Sequence, residues 1–466
     1  MKQFLSKFPK QYYFFNLIFM LERTAWFILI IQIPIFIAQK GVGGLEFTQE
    51  TKGGIYLYWV ILQNSLPLLL GNLIDKSHQK LKLLIASLLI LTGAFFFFGM
   101  LQNMFGLLVG ITFVSFGVSI FNPLMKGQIS YYISKDYSSL GWGLHFWLYN
   151  LAIFIIAVPY SNFLRGLGWQ YLFIGSATIY IVAILLSKLL DFKKMVQIES
   201  ISIKDIIKGV NLTLRQNHTF LFLISMSGFA VIYMQFYETL PNFIYDWSNT
   251  NAIVTGLSLP DFFTMTTWAG EGIAFEWLYN INTGLTLLLL LPFSLMLAYR
   301  EILNSLMLGF VLVVIGFGVS IVSTNGIYLI SGFVIYTIGE LITNPKFTEY
   351  FDFISEEVDK STYMGLLFFS NLIGYPIGAL LGGYMYGAFG EKASLAKQYL
   401  MEIHNIDVDL NLAYQKMIEV GSFTEIEATN LLWNEYSPYL SLMPFVIIGG
   451  VSFVGLLFYS RIIQNR

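Results

Sequence analysis

The sequence predicts an all-α membrane protein with twelve transmembrane helices in two groups of six, and three observations support this fold class. The 466 residues are 56% hydrophobic and 12% charged, with a mean hydropathy of +0.67, whereas soluble domains carry about 25% charged residues. Apolar runs of about 20 residues, long enough to cross a bilayer, recur along the chain. These runs are continuous rather than alternating, which favours helices over the strands of a membrane barrel.

Twelve such runs lie along the chain, six on each side of a polar, basic stretch. We predict transmembrane helices at about 12–38, 53–74, 82–100, 104–131, 143–165, 170–191, 217–245, 275–298, 303–322, 327–352, 363–389 and 438–461. The first run continues too far for a signal peptide and lacks a small-residue cleavage site, so we expect it to be retained. The division predicts an N-terminal bundle over residues 1–191 and a C-terminal bundle over 217–466.

Two polar segments interrupt the pattern of apolar runs. Residues 192–216 keep apolar residues at helical spacing, as at Ile203 and Ile206, and so predict an amphipathic helix along the cytoplasmic membrane surface. Residues 390–437 predict a helical hairpin outside the membrane, with "SFTE" at 422–425 as a capping box. We refer to 390–437 as the insert; it is either a packing element or a lid or partner-binding element.

Lysine and arginine predict the orientation, since positively charged loops stay in the cytoplasm. If the helices alternate, one side of the membrane receives Lys2, Lys7, Lys10, Lys76, Lys80, Lys82, Lys188, Lys193, Lys194 and Arg461. On the opposite side, residues 246–274 carry acids but neither lysine nor arginine. We therefore expect a multi-pass protein of the cytoplasmic (inner) membrane with both termini in the cytoplasm.

Charged residues inside the predicted spans are the first functional signal. Glu22 and Arg23 stand side by side in "FMLERTAW" of the first span, and Glu340 lies within the tenth. A charge at bilayer depth costs at least about 2.5–3.5 kcal/mol, so such residues pair or face a watery cavity. A carboxyl group that alternates between desolvation and a nearby arginine can bind and release a proton. A static ion pair between helices is the alternative for Glu22 and Arg23.

Several short motifs occur in a fixed order along both bundles. They are "LERTAWF" (21–27), "GNLIDK" (71–76), "FGVSIFNPLMK" (116–126), "GLHFWLYNLA" (143–152), "FEWLYNIN" (275–282), "GELITNP" (339–345) and "YMGLLFFSNLIG" (363–374). Together they resemble the proton-dependent oligopeptide transporters of the major facilitator superfamily. The resemblance implies the major facilitator fold of two six-helix bundles, which rock about a midplane site. It also implies proton-coupled uptake of di- and tripeptides or similar small solutes, with a proton gradient and no cofactor.

The resemblance implies roles for individual residues. For proton coupling it indicates Glu22, Arg23 and Glu340, with Lys126 in place of a family lysine one turn away. For substrate binding it indicates Arg23, Trp26, Asn122, Asn150, Gln235, Trp277 and Glu340. For gating we name Asp75, Lys76, Glu238 and Pro345. We expect Pro345 to break its helix near the cytoplasmic end as a hinge.

Structural roles stay open for several of these residues. Lys126 alternatively extends to the inner membrane interface, Asn150 alternatively joins two helices, and Glu238 is alternatively interfacial. His145 near the inner end of the fifth span is expected to be structural, although a histidine there can also sense protons.

The chain departs from the family pattern near the first-helix pair. Phe19 stands where the family has an earlier glutamate, Ile30 where it has a further arginine, and Asn122 where it has a lysine. These changes remove one protonatable group and one anchor for a peptide carboxylate. An exporter of drugs or other amphiphilic solutes is therefore the alternative function.

Other classes of function find no support in the sequence. The chain has no cysteine and four histidines, without metal-ligand spacing or a phosphate-binding loop, so we expect neither an enzyme nor a metal site. The net charge of −2 and the lack of a basic stripe argue against a nucleic-acid partner. We expect a monomer. Its expected partners are a small peptide or amphiphilic solute, protons and the lipid bilayer. A non-transporting receptor that binds an unidentified partner through 390–437 is a third hypothesis.

Overall fold

The computed structural model describes residues 8–77, 79–134, 138–192, 217–297, 300–354 and 360–464. The described residues include nine helical segments long and apolar enough to cross a membrane. The membrane-protein class is thus confirmed, whereas the total of twelve spans stays a prediction. The predicted amphipathic linker over 192–216 lies, after its first residue, outside the described residues.

The N-terminal half consists of long helices joined by short connections, so that sequence neighbours run antiparallel. They are α1 (Lys10–Ala38), α2 (Gln49–Lys76), α3 (Lys80–Met100), α4 (Met104–Tyr131), α5 (Ser138–Ala152), α6 (Val158–Leu167) and α7 (Trp169–Ser187). A π-helical turn at Ile153–Ala157 joins α5 to α6 just before Pro159. Since proline supplies no N–H, the regular hydrogen-bond ladder changes there, and α5 with α6 forms the predicted fifth span.

The C-terminal half follows the same plan with longer connections. Its helices are α8 (Asn217–Glu238), α9 (Leu240–Trp247), α10 (Asn251–Leu257), α11 (Phe275–Leu297), α12 (Ile302–Ile321), α13 (Gly326–Ile354), α14 (Lys360–Phe389), α15 (Lys392–His404), α16 (Ala413–Gly421), α17 (Glu425–Tyr436) and α18 (Met443–Gln464). Pro241 stands in the first turn of α9, which explains why the predicted seventh span divides at Thr239.

One end of the molecule carries the long connections, and we call it the insert side. It contains residues 39–48, 248–274 and 390–442, whereas the described chain ends at Phe8 and Gln464 lie at the opposite, terminal side. The insert side includes strands β1 (Thr264–Thr267) and β2 (Gly270–Ile273), paired antiparallel.

The β-hairpin was missed in the sequence analysis, which treated these residues only as an acid-carrying loop. Gly270 adopts a φ of +95° where β2 begins, a conformation that glycine reaches without a steric penalty.

The insert contains three helices rather than the predicted hairpin of two. Its capping box lies at Thr424 and Glu427, where the Thr424 amide donates to Glu427 Oε2 over 2.8 Å and the Glu427 amide to Thr424 Oγ1 over 3.2 Å. The predicted box at 422–425 was wrong because Ser422 ends α16 with a φ of +50°. An N-cap residue instead needs extended backbone, which Thr424 has.

The two halves touch on the insert side through α2 and α14. A Cβ atom added to Gly53 would lie 2.6 Å from the carbonyl oxygen of Ala379, and one on Gly383 would lie 2.5 Å from that of Gln49. Only glycine permits backbones to approach this closely. The structure therefore has the insert side closed between the two bundles.

Candidate functional site

Glu22 and Arg23 form a two-pronged ion pair within α1. Arg23 Nε donates to Glu22 Oε2 over 2.5 Å, and a second guanidinium nitrogen donates to Oε1 over 2.6 Å. The Glu22 side chain is fully buried and that of Arg23 is 17% exposed. Bonds between charged groups at such distances are the strong ones. The pair is thus nearly neutral as a unit, with the arginine on its accessible side.

Aromatic rings surround this pair where the resembled family has a carboxylate. The guanidinium carbon of Arg23 lies 5.7 Å from the ring centre of Phe19 and 5.2 Å from that of Trp26, within cation–π range. Phe19 also packs on Phe121 at 5.9 Å and on His145 at 4.5 Å. Phe19 therefore replaces a charge with packing. Trp26 lies next to Arg23, and its substrate contact stays a prediction.

His145 has a structural partner in the core. Its Nδ1 lies 2.6 Å from Asn16 Oδ1, and its side chain is 4% exposed. This contact agrees with the structural role expected for His145.

Lys126 and Asn122 lie one turn apart on α4. The Lys126 side chain is exposed, and it lies close enough to Glu22 and Arg23 to interact with both charges. Within the described ranges it makes no ion pair. Asn122 is half-buried, and its Oδ1 lacks a hydrogen-bond donor among the described residues. The structure thus brings Lys126 near the Glu22–Arg23 pair and leaves Asn122 with an unused acceptor.

Glu340 on α13 is a carboxyl group held by neutral donors. Asn282 of α11 donates from Nδ2 to Glu340 Oε2 over 3.0 Å and to Thr337 Oγ1 over the same distance. Asn344 donates to Oε1 over 3.4 Å, and the Tyr233 hydroxyl also hydrogen-bonds to this carboxyl group. In the described part of the chain, Glu340 has no cation within ion-pair distance.

A group of tyrosines lies between the two charged centres. Tyr149 of the N-terminal half interacts electrostatically with both Arg23 and Glu340, and its ring lies 5.9 Å from Phe19. On the other side Tyr233 packs on Tyr237 at 5.4 Å and on Tyr375 at 6.3 Å. The Glu22–Arg23 pair and Glu340 therefore face one region from opposite bundles.

Sequence reasoning missed Tyr149, Tyr375 and Asn282 as members of this region. Tyr149 and Tyr375 were not singled out because the chain contains 28 tyrosines. Asn282 is the last residue of the "FEWLYNIN" motif, so the motif carried a signal that was not used.

A buried ion pair joins the two halves on the insert side. Lys52 Nζ of α2 lies 3.4 Å from Glu238 Oε1 of α8, and both side chains are fully buried. The same ammonium donates to the Glu238 carbonyl and to Asn242 Oδ1, each over 2.9 Å. The Thr239 hydroxyl oxygen lies 2.9 Å from Glu238 Oε2. Lys52 was missed because the predicted second span began at residue 53.

Amide side chains from α1 reinforce this contact. Gln39 donates to Asp246 Oδ1 over 2.7 Å and accepts from Asn242 over 3.1 Å. Two turns earlier in α1, Gln32 donates to Glu276 Oε1 over 2.6 Å. All of these side chains are buried, so their hydrogen bonds add to the polar contact between the bundles on the insert side.

Asn150 and Gln235 are occupied by bonds within the protein. Asn150 donates to its own helix at the Phe146 carbonyl over 2.9 Å. Gln235 donates to the Gly378 carbonyl over 2.9 Å and accepts from the Thr239 hydroxyl over 2.7 Å. Gln235 thus joins α8 to α14 in this structure, and the substrate contacts expected from both residues stay predictions.

Trp277 lies at the start of α11. Its indole donates to the Phe262 carbonyl over 3.2 Å and its ring packs on Phe263 at 4.7 Å. Asn282, which contacts Glu340, lies five residues further, roughly 7.5 Å along the helix axis. The structure thus places Trp277 among the loops of the insert side, and its substrate contact stays a prediction.

The predicted gating residues on the terminal side are placed only in part. Asp75 and Lys76 end α2, but their side-chain contacts lie outside the described residues. Pro345 does not break its helix, because α13 runs through it to Ile354. Pro removes one backbone donor, and membrane helices tolerate this when neighbouring helices satisfy the freed group. The expected break is therefore wrong.

Metal binding receives no support from the geometry. Among the residues described, no group of three or more histidine, aspartate or glutamate side chains is arranged to hold a metal ion. The chemistry of the site consists of the carboxyl groups of Glu22 and Glu340, the cations of Arg23 and Lys126, and aromatic rings.

Comparison with solved structures finds a similar fold in known transporters. The nucleoside transporter NupG matches with a TM-score of 0.66 at 14% identity, over 98% of this chain and 100% of that one. The peptide transporter POT in complex with sulfate matches with a TM-score of 0.68 at 14% identity, over 98% of this chain and 95% of that one. A POT family transporter in complex with 5-aminolevulinic acid matches with a TM-score of 0.65 at 12% identity, over 97% of each chain.

The sequence comparisons give the family. No curated protein matches the chain significantly. The sequence profile of the Major Facilitator Superfamily matches residues 15–341, which spans most of the chain and both halves. With the peptide-transporter neighbours, this match confirms the resemblance inferred from the motifs at the level of fold and superfamily. The chain therefore belongs to the Major Facilitator Superfamily, whose members are membrane transporters rather than enzymes.

Proposed function

We propose that this protein is a secondary active transporter that takes up di- or tripeptides, or similar small solutes, together with protons. The observation that carries the proposal is the position of Glu340. Its carboxyl group accepts hydrogen bonds only from neutral donors among the described residues. Tyr149 of the other bundle lies close enough to interact electrostatically with both Glu340 and Arg23. A carboxyl group without a fixed cation can exchange its proton when a solute ammonium or a water file approaches.

Alternating access supplies the mechanism. The ion pair of Lys52 with Glu238 and the glycine contact of Gly53 with α14 close the insert side. We assign this side to the cell exterior and both termini to the cytoplasm, in line with the distribution of lysine and arginine. Opening the insert side breaks these contacts, and protonation of Glu238 weakens its attraction to Lys52. We thus keep Glu238 as a gating residue, with Lys52 as its partner.

Uptake into proteoliposomes tests this proposal. With an inward proton gradient, labelled dialanine should accumulate, and a protonophore should abolish accumulation. Glu340→Gln should stop gradient-driven uptake while counterflow exchange of dialanine continues, since the amide binds no proton. Glu402→Gln on the exposed insert surface is the matched control and should transport like the original protein. Unchanged gradient-driven uptake by Glu340→Gln would contradict the proposal.

An exporter of drugs or other amphiphilic solutes is the second candidate. The observation in its favour is the aromatic lining around Arg23, where Phe19 and Trp26 replace charged or hydroxyl-bearing groups. In the same liposomes, an outward-driven flux of an amphiphilic dye with no dialanine uptake would select this candidate. Binding of solutes without any flux would favour a receptor.

A further inference from the structure

A cavity of about 540 Å³ lies on the insert side, directly above the closed contact between the bundles. Its wall combines the loop after α1, the end of α6, helix α9, the β-hairpin, the start of α11 and the insert. Gln39 and Asp246, whose hydrogen bond helps close the bundles, form part of the wall. Its volume falls within the range of small-molecule sites, about 300–1,000 Å³.

Six charged residues of both signs line this cavity, and among the described residues none of them forms an ion pair. They are Lys40, Arg165, Lys392, Asp246, Glu391 and Glu425. Ion pairs do form nearby in the insert, as between Lys397 and Asp407 at 3.1 Å. The charges of the cavity are thus held apart across a space rather than neutralised against one another.

The three cations are positioned by neutral groups. Arg165 donates to the Val42 carbonyl over 3.2 Å and stacks on Trp169 at 3.8 Å. Lys40 donates to the carbonyls of the following loop, at Glu46 and Phe47. Carbonyl acceptors and rings orient a cation without cancelling its charge, so Lys40 and Arg165 keep their attraction for a carboxylate.

Lys392 is held more tightly than the other two cations. Its Nζ lies about 5 Å from three ring centres, at 5.3 Å from Trp247, 4.9 Å from Trp268 and 5.1 Å from Tyr414, and it donates to Thr429 Oγ1 over 3.2 Å. This aromatic cage anchors the insert against the β-hairpin and so shapes one wall of the cavity.

The acids accept only from neutral donors. Glu391 accepts from Gln49 Nε2 over 3.1 Å and from Ser394 over 2.8 Å, and both contacts leave lone pairs of the carboxylate unused. Asp246 accepts from Gln39 at 2.7 Å and from the Tyr386 hydroxyl at 2.5 Å. These acids can therefore still receive an ammonium group.

Two donors in the wall have no acceptor among the described residues: Arg165 Nε and Trp268 Nε1. A buried donor without an acceptor is costly, and a carboxylate or a water bound in the cavity would relieve that cost. The wall therefore offers separate positions for a negative and a positive group of one small molecule.

We propose that this cavity is a binding site for a small zwitterionic solute, of the amino-acid or short-peptide class. The solute binds there on the insert side before the bundles open. The carboxylate of the solute lies toward Lys40 and Arg165, and its ammonium lies toward Glu391 and Asp246. Equal numbers of cationic and acidic groups favour a zwitterion over an ion of one sign. That this binding precedes transport rests on the proposed uptake function, whereas the binding itself depends on the cavity alone.

Equilibrium binding of labelled dialanine to the purified full-length protein tests this proposal, with the double variant Glu22→Gln and Arg23→Gln as the background, because it removes the cation of the central region. Dialanine should bind, and both N-acetyl-dialanine and dialanine amide should bind at least about tenfold more weakly, since each lacks one charge. Arg165→Gln should weaken dialanine about tenfold but leave the amide unchanged. Glu391→Gln should weaken dialanine but leave the N-acetyl form unchanged. Lys397→Gln, on the outer surface of the insert, is the matched control and should bind like the background.

Trp268→Phe provides a variant that keeps the ring facing Lys392 while removing the indole N–H, so it guards against loss of fold in the charge variants. It should weaken dialanine binding without moving the thermal unfolding midpoint. Loss of dialanine binding in the Glu22→Gln, Arg23→Gln background, or binding that is unchanged in all three cavity variants, would overturn the outer site. If uptake fails while dialanine still binds in the cavity, only the proposed function is overturned. If uptake occurs while the cavity variants leave dialanine binding unchanged, only this site is overturned.

Discussion

Glu22 and Arg23 illustrate how a membrane span accommodates two charges. The guanidinium reaches both oxygens of the preceding carboxylate, so the two charges offset each other within one helix. Because the partners are neighbours in sequence, the pair moves with α1 and no other helix has to release it. Lys52 and Glu238 differ, since each belongs to another bundle and their separation requires the bundles to part.

The first prediction concerns the Glu22–Arg23 pair. Arg23→Gln should lower the free energy of unfolding by about 3 kcal/mol, because it leaves a buried carboxylate without its partner. The double variant Glu22→Gln with Arg23→Gln should recover most of that loss. Thermal unfolding of the purified protein in detergent measures both. Equal midpoints for the single and double variants would contradict the pair as the source of stability.

At the scale of elements, the position of the insert depends on a helix cap and on side-chain contacts with the rest of the protein. The capping box of Thr424 and Glu427 begins α17, and Trp247 donates its indole N–H to the Gly390 carbonyl over 2.8 Å. Lys392 in its aromatic cage adds a third attachment. The insert is therefore attached to the rest of the protein at α9 and the β-hairpin, and it also forms one wall of the cavity on the insert side.

The capping residue gives the second prediction. Thr424→Ala should destabilise α17 by about 1 kcal/mol, because the side chain accepts from the Glu427 amide. Ser422→Ala, two residues earlier, should have little effect, since Ser422 caps α16 through its backbone N–H, which alanine keeps. Hydrogen exchange of the amides in the first turn of α17 measures the difference. Equal loss of protection in both variants would argue against the reassigned cap.

The third prediction concerns pH at the junction of α14 and α15. Burial, and then the nearby charge of Asp246, raise the pKa of Glu391 from 4.5 to about 7. The docked insert therefore keeps a proton that an undocked, solvated carboxyl group loses, so docking weakens as pH rises from about 4.5 to 7 and then levels off. Amide exchange in α15, corrected for intrinsic rates, should show this slope. Glu391→Gln should remove it, and an unchanged slope in that variant would refute the assignment.

At the scale of the whole molecule, closure of the insert side depends on two surfaces that lack side chains. Gly53 and Gly383 allow α2 and α14 to meet at backbone distance. Around this contact lie the Lys52–Glu238 pair and the Gln39 bonds. A tight, polar-rimmed contact of this kind is consistent with the gating role proposed for this side.

Gly53→Val should destabilise the closed state by about 1–3 kcal/mol, because its added carbons meet the α14 backbone. We expect a lower thermal midpoint and slower uptake of labelled dialanine. Gly54→Val is the matched control, since a Cβ at Gly54 meets nothing within 4 Å, and it should behave nearly like the original protein. A similar loss in both variants would point to helix propensity rather than closure.

The match between sequence and structure varies with the range of the interaction. Helices such as α3 and α4 begin and end within about two residues of the prediction, because apolar length is a local property. Finer features failed at Ser422 and Gly270, where the backbone takes a positive φ, and at Pro345, where the helix continues through the proline. The predicted site residues on α1 and α13 lie facing one region, whereas the contacts of Gln235 and Trp277 were beyond prediction.

The amino-acid sequence by itself determined the membrane class, most of the spans and the candidate charges Glu22, Arg23 and Glu340. It did so because a bilayer imposes local rules on apolar length and makes each buried charge conspicuous. Only the tertiary structure decided which groups meet. Lys52 and the Glu238 carbonyl lie 186 residues apart in sequence, and the cavity draws its charges from α6, α9 and the insert. Contacts between distant residues leave no periodicity in the sequence, so only the packing of the two bundles decides which residues meet on the insert side and which line the cavity above them.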